Sequence, residues 1–144
     1  MIIDPAHGTI GTEDADQLTG GETPDQIYGE GGSDTIRAGA GNDFATGQMA
    51  ADTIDGDAGD DELFGGPGDD VVRGSDGNDQ LVGNFGSDTL LGGKGDDLFL
   101  GDNPMGAPDA GSFDVCNGQQ GTDLAVPGTC EQEGQMEGAI SPPQ

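Results

Sequence analysis

Positive charge is almost missing from this chain: three lysine and arginine side chains stand against 29 aspartates and glutamates, for a formal charge of −26 over 144 residues. A phosphate backbone would be repelled, so nucleic acid is excluded as a partner. Tryptophan is absent, histidine occurs once and aromatic residues make up 4% of the chain. A nitrogen-rich metal centre therefore cannot be assembled. The chain has no His-Glu-x-x-His and no Gly-x-Ser-x-Gly, and Cys116 has no evident basic partner, so no catalytic set is legible. No apolar run reaches the 18 residues of a membrane span, and the opening "MIIDPAHG" lacks the basic start and apolar core of a secretory signal. Leu, Ile, Val and Phe together number 25 of 144, below the roughly 20% under which a highly charged chain is expected to stay disordered. Composition alone describes an unfolded polymer.

What the chain has in quantity is glycine, 30 residues, and these are ordered in a period of nine. Cutting from Gly11 gives ten unbroken units, among them GEGGSDTIR, AGAGNDFAT, GGPGDDVVR and GGKGDDLFL, ending at Leu100. The sixth place is always aspartate: Asp16, Asp25, Asp34, Asp43, Asp52, Asp61, Asp70, Asp79, Asp88 and Asp97. The eighth is always apolar: Leu18, Ile27, Ile36, Ala45, Ile54, Leu63, Val72, Leu81, Leu90 and Phe99. The first is Gly in nine units and Ala38 in the other.

One apolar residue per nine cannot make a helical stripe, whose apolar positions recur every three or four residues. It suits a very short strand with one inward side chain. Glycine-rich turns then reverse the chain after each strand, two units form one coil, and units n and n+2 stack as parallel neighbours about 4.8 Å apart. The expected fold is an all-β solenoid of about five coils.

At this point the units resemble a family: "GGPGDDVVR" and "GGKGDDLFL" look like the nonapeptide repeat G-G-x-G-x-D-x-U-x of RTX proteins, over residues 11–100. The resemblance implies a right-handed parallel β-roll, with calcium held in the turns between stacked coils by the ten sixth-place aspartates and by turn carbonyls. The residue chemistry agrees. Ten inward side chains are too few for hydrophobic burial to offset the ordering of about ninety residues, and a ligand that binds only the folded form would offset the rest by linkage. Calcium takes six to eight oxygens from carboxylates and carbonyls, whereas magnesium keeps its waters and a strict octahedron. Lanthanides would fit the same oxygens. Ten units offer at most about eight gaps between n and n+2. Asp14, Thr23 and Ala50 replace the fourth-place Gly, so the first two units and the fifth are the weaker binders. Asp60 and Asp69, beside column members, are expected to face solvent as the column members' neighbours.

Alternation of units between two sheets separates the outward positions. Arg37, Asp55 and Arg73 should form an opposite-sign ladder on the odd face. The even face gathers Tyr28, Phe44, Phe64, Val82, Leu98 and Leu100, an apolar strip that could be covered by the C-terminal tail or a partner, or could reflect ordinary β-propensity. Residues 1–10 are expected to cap one end, with His7 in the aspartate column as a cap residue rather than a ligand. Residues 101–130 form an irregular extension in which "DVCNGQQGTDLA" resumes the repeat, with Asp114 and Asp123 as candidate additional metal ligands. Cys116 and Cys130 suit a disulfide in an oxidising compartment, with two free thiols the alternative. Residues 131–144 read as a flexible tail.

The reading that uses every aligned column is a secreted or cell-surface calcium-binding β-roll whose folding calcium drives and which does no catalysis itself. Two others stay open: a calcium-dependent subunit assembling head to tail into filaments or a surface layer through its coil ends, and a repeat region of a larger RTX enzyme, toxin or adhesin.

Overall fold

The computed structural model of the chain describes residues 2–4, 8–102, 113–126, 130 and 132–134. The expectations for His7 and for most of the 131–144 segment lie outside the described residues. Among the described residues every regular element is a strand, and no helix is long and apolar enough to cross a membrane.

Each nonapeptide contributes one strand, which starts at its seventh place, just after the column aspartate. Even-numbered units, extended at both ends by further strands, lie in a sheet of eight in the order β1 (Ile2–Asp4), β2 (Gly8–Ile10), β4 (Gln26–Tyr28), β6 (Phe44–Thr46), β8 (Glu62–Pro67), β10 (Gln80–Phe85), β12 (Leu98–Asp102) and β14 (Leu124–Ala125). Odd-numbered units, extended at one end, lie in the facing sheet of seven: β3 (Gln17–Thr19), β5 (Thr35–Ala40), β7 (Thr53–Ala58), β9 (Val71–Asp76), β11 (Thr89–Lys94), β13 (Val115–Gln120) and β15 (Gln132–Gly134). All neighbours pair in parallel except β1, which returns antiparallel along β2. The fold is a parallel β-solenoid of two nonapeptides per coil.

Eighth-place residues align across each sheet. Leu18, Ile36, Ile54, Val72, Leu90 and Cys116 face one another in register on the odd side. Ile27, Ala45, Leu63, Leu81, Phe99 and Ala125 do so on the even side. All twelve are buried and form one core, a single file of side chains between the sheets.

The left-handed backbone positions fall at the second and fourth places. Fourth-place Gly59, Gly68 and Gly77 have φ of 134°, 151° and 137°, values open to glycine at little steric cost. Ala50 holds the same place at φ 89°, so the fifth unit keeps the turn of its neighbours despite its methyl group.

On the even face Val82 is 5% exposed and stands in register between Phe64 and Leu100 on the adjoining strands. Further along that face Tyr28, Phe44 and Phe64 stack on successive strands with centroids 5.7 and 5.4 Å apart. On the odd face Arg37, Asp55 and Arg73 do stand in register, but the Arg37 guanidinium reaches past Asp55 to Asp57 at 3.1 Å. Asp55 instead accepts from the Ser75 hydroxyl at 2.7 Å and from the Asp57 backbone N–H at 3.2 Å. Finally, residues 132–134 of the expected flexible tail form β15 and extend the odd sheet beside β13.

The extension after Leu100 is a further coil in register. Asp114 and Asp123 follow Asp88 and Asp97 by 26 residues, against 18 within the roll, so eight extra residues precede it. Cys116 takes an inward place and bonds to Cys130, the two Cα atoms 5.9 Å apart. Both are buried in the core cluster, and the disulfide closes that end of the file.

Candidate metal centre

Turns between strands bring the aspartate column together. In each coil the backbone N–H of one column member donates to Oδ1 of the next: Asp34 to Asp52 at 2.7 Å, Asp52 to Asp70 at 2.8 Å, Asp70 to Asp88 at 2.9 Å. The even row runs likewise from Asp25 through Asp43, Asp61 and Asp79 to Asp97. The carbonyl of each member accepts from the residue after its successor, as Asp52 does from Val71 and Asp70 from Thr89. Every column member within the roll therefore pins the next coil through its main chain and its side chain.

These bonds engage one carboxylate oxygen and leave the other. Oδ2 of Asp34, Asp43, Asp52, Asp61, Asp70, Asp79, Asp88 and Asp97 is buried with no hydrogen-bond partner, an expensive state for an ionised oxygen unless a cation meets it. Burial pushes these carboxyls up, to about 6 at Asp52, Asp61 and Asp97, about 7 at Asp70 and Asp79, and about 8 at Asp88. The backbone N–H bonds oppose that rise and the neighbouring column carboxylates add to it.

A first-place glycine packs close against the orphan oxygens. A Cβ built on first-place Gly56 would collide with Asp61 Oδ2 and lie 2.8 Å from the Gly74 carbonyl oxygen. At Gly74 the same point is faced by Asp79 Oδ2 and, at 2.7 Å, the Gly92 carbonyl; at Gly83 by Asp88 Oδ2 and, at 2.8 Å, the Gly101 carbonyl. A carboxylate from unit n and a carbonyl from unit n+2 thus close on the first-place glycine and leave no volume for a side chain there. Among the described residues no three acidic, histidine or cysteine side chains gather to hold a metal. A cation here must complete its shell with main-chain carbonyls, which suits a hard, oxygen-seeking ion such as calcium and not zinc or copper.

The ends of the column differ. Asp16 Oδ2 accepts from its own turn, the Thr12 N–H at 2.6 Å and the Thr12 hydroxyl at 2.9 Å, and those bonds, the hydroxyl first, hold its carboxyl below the usual range. Asp25 Oδ2 accepts from the Gly21 N–H at 2.6 Å. Both side chains are only partly buried. Asp52, in the fifth unit, is placed like its neighbours. Asp114 and Asp123 are fully buried and accept from the backbone of Asp88 and Asp97 at 2.9 and 3.0 Å.

A second ladder runs along the fifth places, which sequence reasoning left to solvent. Asn42 Oδ1 accepts from the Asp60 N–H, Asp60 from Asn78, Asn78 from Asp96 and Asp96 from Thr122, at 2.8 to 3.0 Å. Asp69 accepts from Ser87 in the other row at 2.9 Å. Asp60 and Asp69 are exposed as expected, yet they staple successive turns. The signal was the run of short side chains in that column, Ser33, Asn42, Asp60, Asp69, Asn78, Ser87 and Asp96, all able to accept from a nearby backbone N–H.

The family model of the RTX calcium-binding nonapeptide repeat, in four copies, matches residues 10–45, 46–81 and 73–103. The chain belongs to that family. Comparison with curated proteins finds no match. The family and the donor chemistry agree that the RTX roll is a calcium-binding structural module, and its unpartnered Oδ2 atoms lie on the inner side of its turns.

Proposed function

We propose that this RTX roll is a secreted calcium-binding module whose folding is driven by calcium, and that it acts by its fold rather than by catalysis. Asp34, Asp43, Asp52, Asp61, Asp70, Asp79, Asp88 and Asp97 supply carboxylates to ions lodged between unit n and unit n+2, with first-place carbonyls from the following coil. Asp114 and Asp123 extend the two rows into the last coil, while Asp16 and Asp25 serve the capping turns. The observation that carries this reading is the buried, partnerless Oδ2 repeated at eight successive column positions. In the cytoplasm, where calcium is scarce, the same carboxylates would repel one another and keep the chain unfolded; millimolar calcium outside the cell would neutralise them. A disulfide in the terminal coil favours the oxidising side of the membrane. On this reading residues 11–100 are the calcium roll, 1–10 its cap and 101–130 a closing coil.

The test is a calcium titration of chelated protein followed by circular dichroism and light scattering. A transition from coil to β structure at constant particle size is the expected result. Growth of the particles with calcium would instead favour head-to-tail assembly, and the absence of any transition would refute both.

A further inference from the structure

All three basic side chains of the chain stand on the odd sheet, Arg37 on β5, Arg73 on β9 and Lys94 on β11. The strands β5, β7, β9 and β11 carry three carboxylates beside them, Asp55, Asp57 and Asp76. These four strands are therefore neutral in a chain of formal charge −26, and an anion meets the least repulsion there.

Two of the three cations are engaged. Arg37 pairs with Asp57 and Lys94 with Asp76, each at 3.1 Å. Arg73 is exposed and has no hydrogen-bond or ion-pair partner among the described residues. Its in-register neighbour Asp55 is taken up by the Ser75 hydroxyl and the Asp57 N–H. Arg37 finds its carboxylate 20 residues on, at a second place of the repeat. The residue 20 beyond Arg73 is Gly93, which has no side chain to offer.

Beside Arg73 lies a hollow of about 200 Å³, lined by Arg73, Ser75, Leu91, Gly92, Gly93 and Gln119. It spans three strands. Leu91 on β11 contributes an apolar surface in register with Arg73 on one side, and the exposed Gln119 of β13 stands in register with Gly93 on the other.

We infer that this hollow binds a carboxylate carried on a short apolar body, with the Arg73 guanidinium taking the carboxylate and Leu91 the apolar part. A guanidinium offers paired N–H donors that match a carboxylate, and Arg37 with Asp57 makes the same kind of pair within the chain. The site is open to solvent, so its dissociation constant should be on the order of millimolar and should weaken with salt. It uses none of the column aspartates, so its failure would leave the calcium reading untouched.

The test is an NMR titration of the full chain in calcium at low ionic strength, with butyrate as probe and butyramide as its neutral counterpart. Butyrate should move the backbone amides of Ser75, Leu91, Gly93 and Gln119 saturably, and butyramide should bind about fivefold more weakly. Arg73→Gln should lose the butyrate response, Arg73→Lys should weaken it, and Arg37→Gln should keep it. N-acetyl-leucine binding tighter than butyrate would point to the C-terminal carboxylate of a peptide as the source, and the reverse to a free short-chain acid. Equal binding of butyrate and butyramide, an unchanged response in Arg73→Gln, or no saturable shift in the wild type would each overturn the inference. If circular dichroism shows that Arg73→Gln does not fold, the comparison of butyrate with butyramide on the wild type decides.

Discussion

The backbone N–H of Asp52 donates to Oδ1 of Asp70, one coil on, at 2.8 Å, while Oδ2 of Asp70 is buried without a partner. One carboxylate thus does two separable jobs, stapling coils with one oxygen and offering the other to a cation. Asparagine keeps the amide oxygen that can accept from Asp52 and removes the charge; alanine removes both. Asp70→Asn and Asp70→Ala should each raise the calcium midpoint of folding. In urea at saturating calcium, Asp70→Ala should be the less stable of the two by about 1–3 kcal/mol, the cost of leaving a buried N–H unsatisfied. Equal stabilities would mean that the Oδ1 staple contributes nothing.

The raised carboxyls fix the sign of the pH dependence. In the unfolded chain they titrate near 3.8, whereas in the metal-free roll they titrate at about 6 for Asp61, about 7 for Asp70 and about 8 for Asp88. Between these limits the folded state binds more protons, so its stability without metal is highest below about pH 4 and falls as pH rises toward 8. Chelated protein should therefore show more β structure by circular dichroism at pH 5 than at pH 8. Calcium displaces those protons, so its apparent affinity should weaken on acidification. Asp88→Asn, which removes the most strongly raised of these carboxyls, should flatten the trend.

The solenoid was legible in the sequence because its constraints are columns. An aspartate every nine residues and an inward residue two places later fix strand, turn and parallel pairing together, and Leu63 beside Leu81 beside Phe99 follows from the spacing alone. Features that depend on where side chains reach were not legible. Arg37 pairs with Asp57 while the in-register Asp55 accepts from the Ser75 hydroxyl and the Asp57 N–H. Val82 is buried although its place in the repeat is an outward one. Asp60 and Asp69 resembled solvated turn residues because exposure and backbone capping call for the same short polar side chain. Asp114 and Asp123 were legible as a resumed repeat, but which row each joins across the eight added residues is shown by their bonds to Asp88 and Asp97.

The left-handed fourth place makes a test of backbone strain. Ala50 adopts φ 89° at a place where seven of the ten units have glycine, and a Cβ in left-handed backbone costs on the order of 1 kcal/mol. Ala50→Gly should stabilise the calcium-loaded roll by up to about 1 kcal/mol in urea unfolding. Ala45→Gly, in the core of β6, should destabilise it, since it removes a buried methyl and loosens a strand. A loss of stability in Ala50→Gly would show that the methyl group contributes more than its strain costs.

The Cys116–Cys130 bond closes a loop of 14 residues and places both sulfur atoms at the end of the core file. A loop of that length gives about 3 kcal/mol of stabilisation in the chain-entropy account. In a solenoid, each coil contacts only its neighbours, so that stabilisation should remain local. Cys116→Ala with Cys130→Ala, or reduction of the wild type, should speed amide hydrogen exchange in β13 and β14 while leaving β5, β7 and β9 protected at saturating calcium. Uniform loss of protection along the roll would show instead that the terminal coil nucleates the whole fold, with calcium in the inner turns unable to hold them once the end is open.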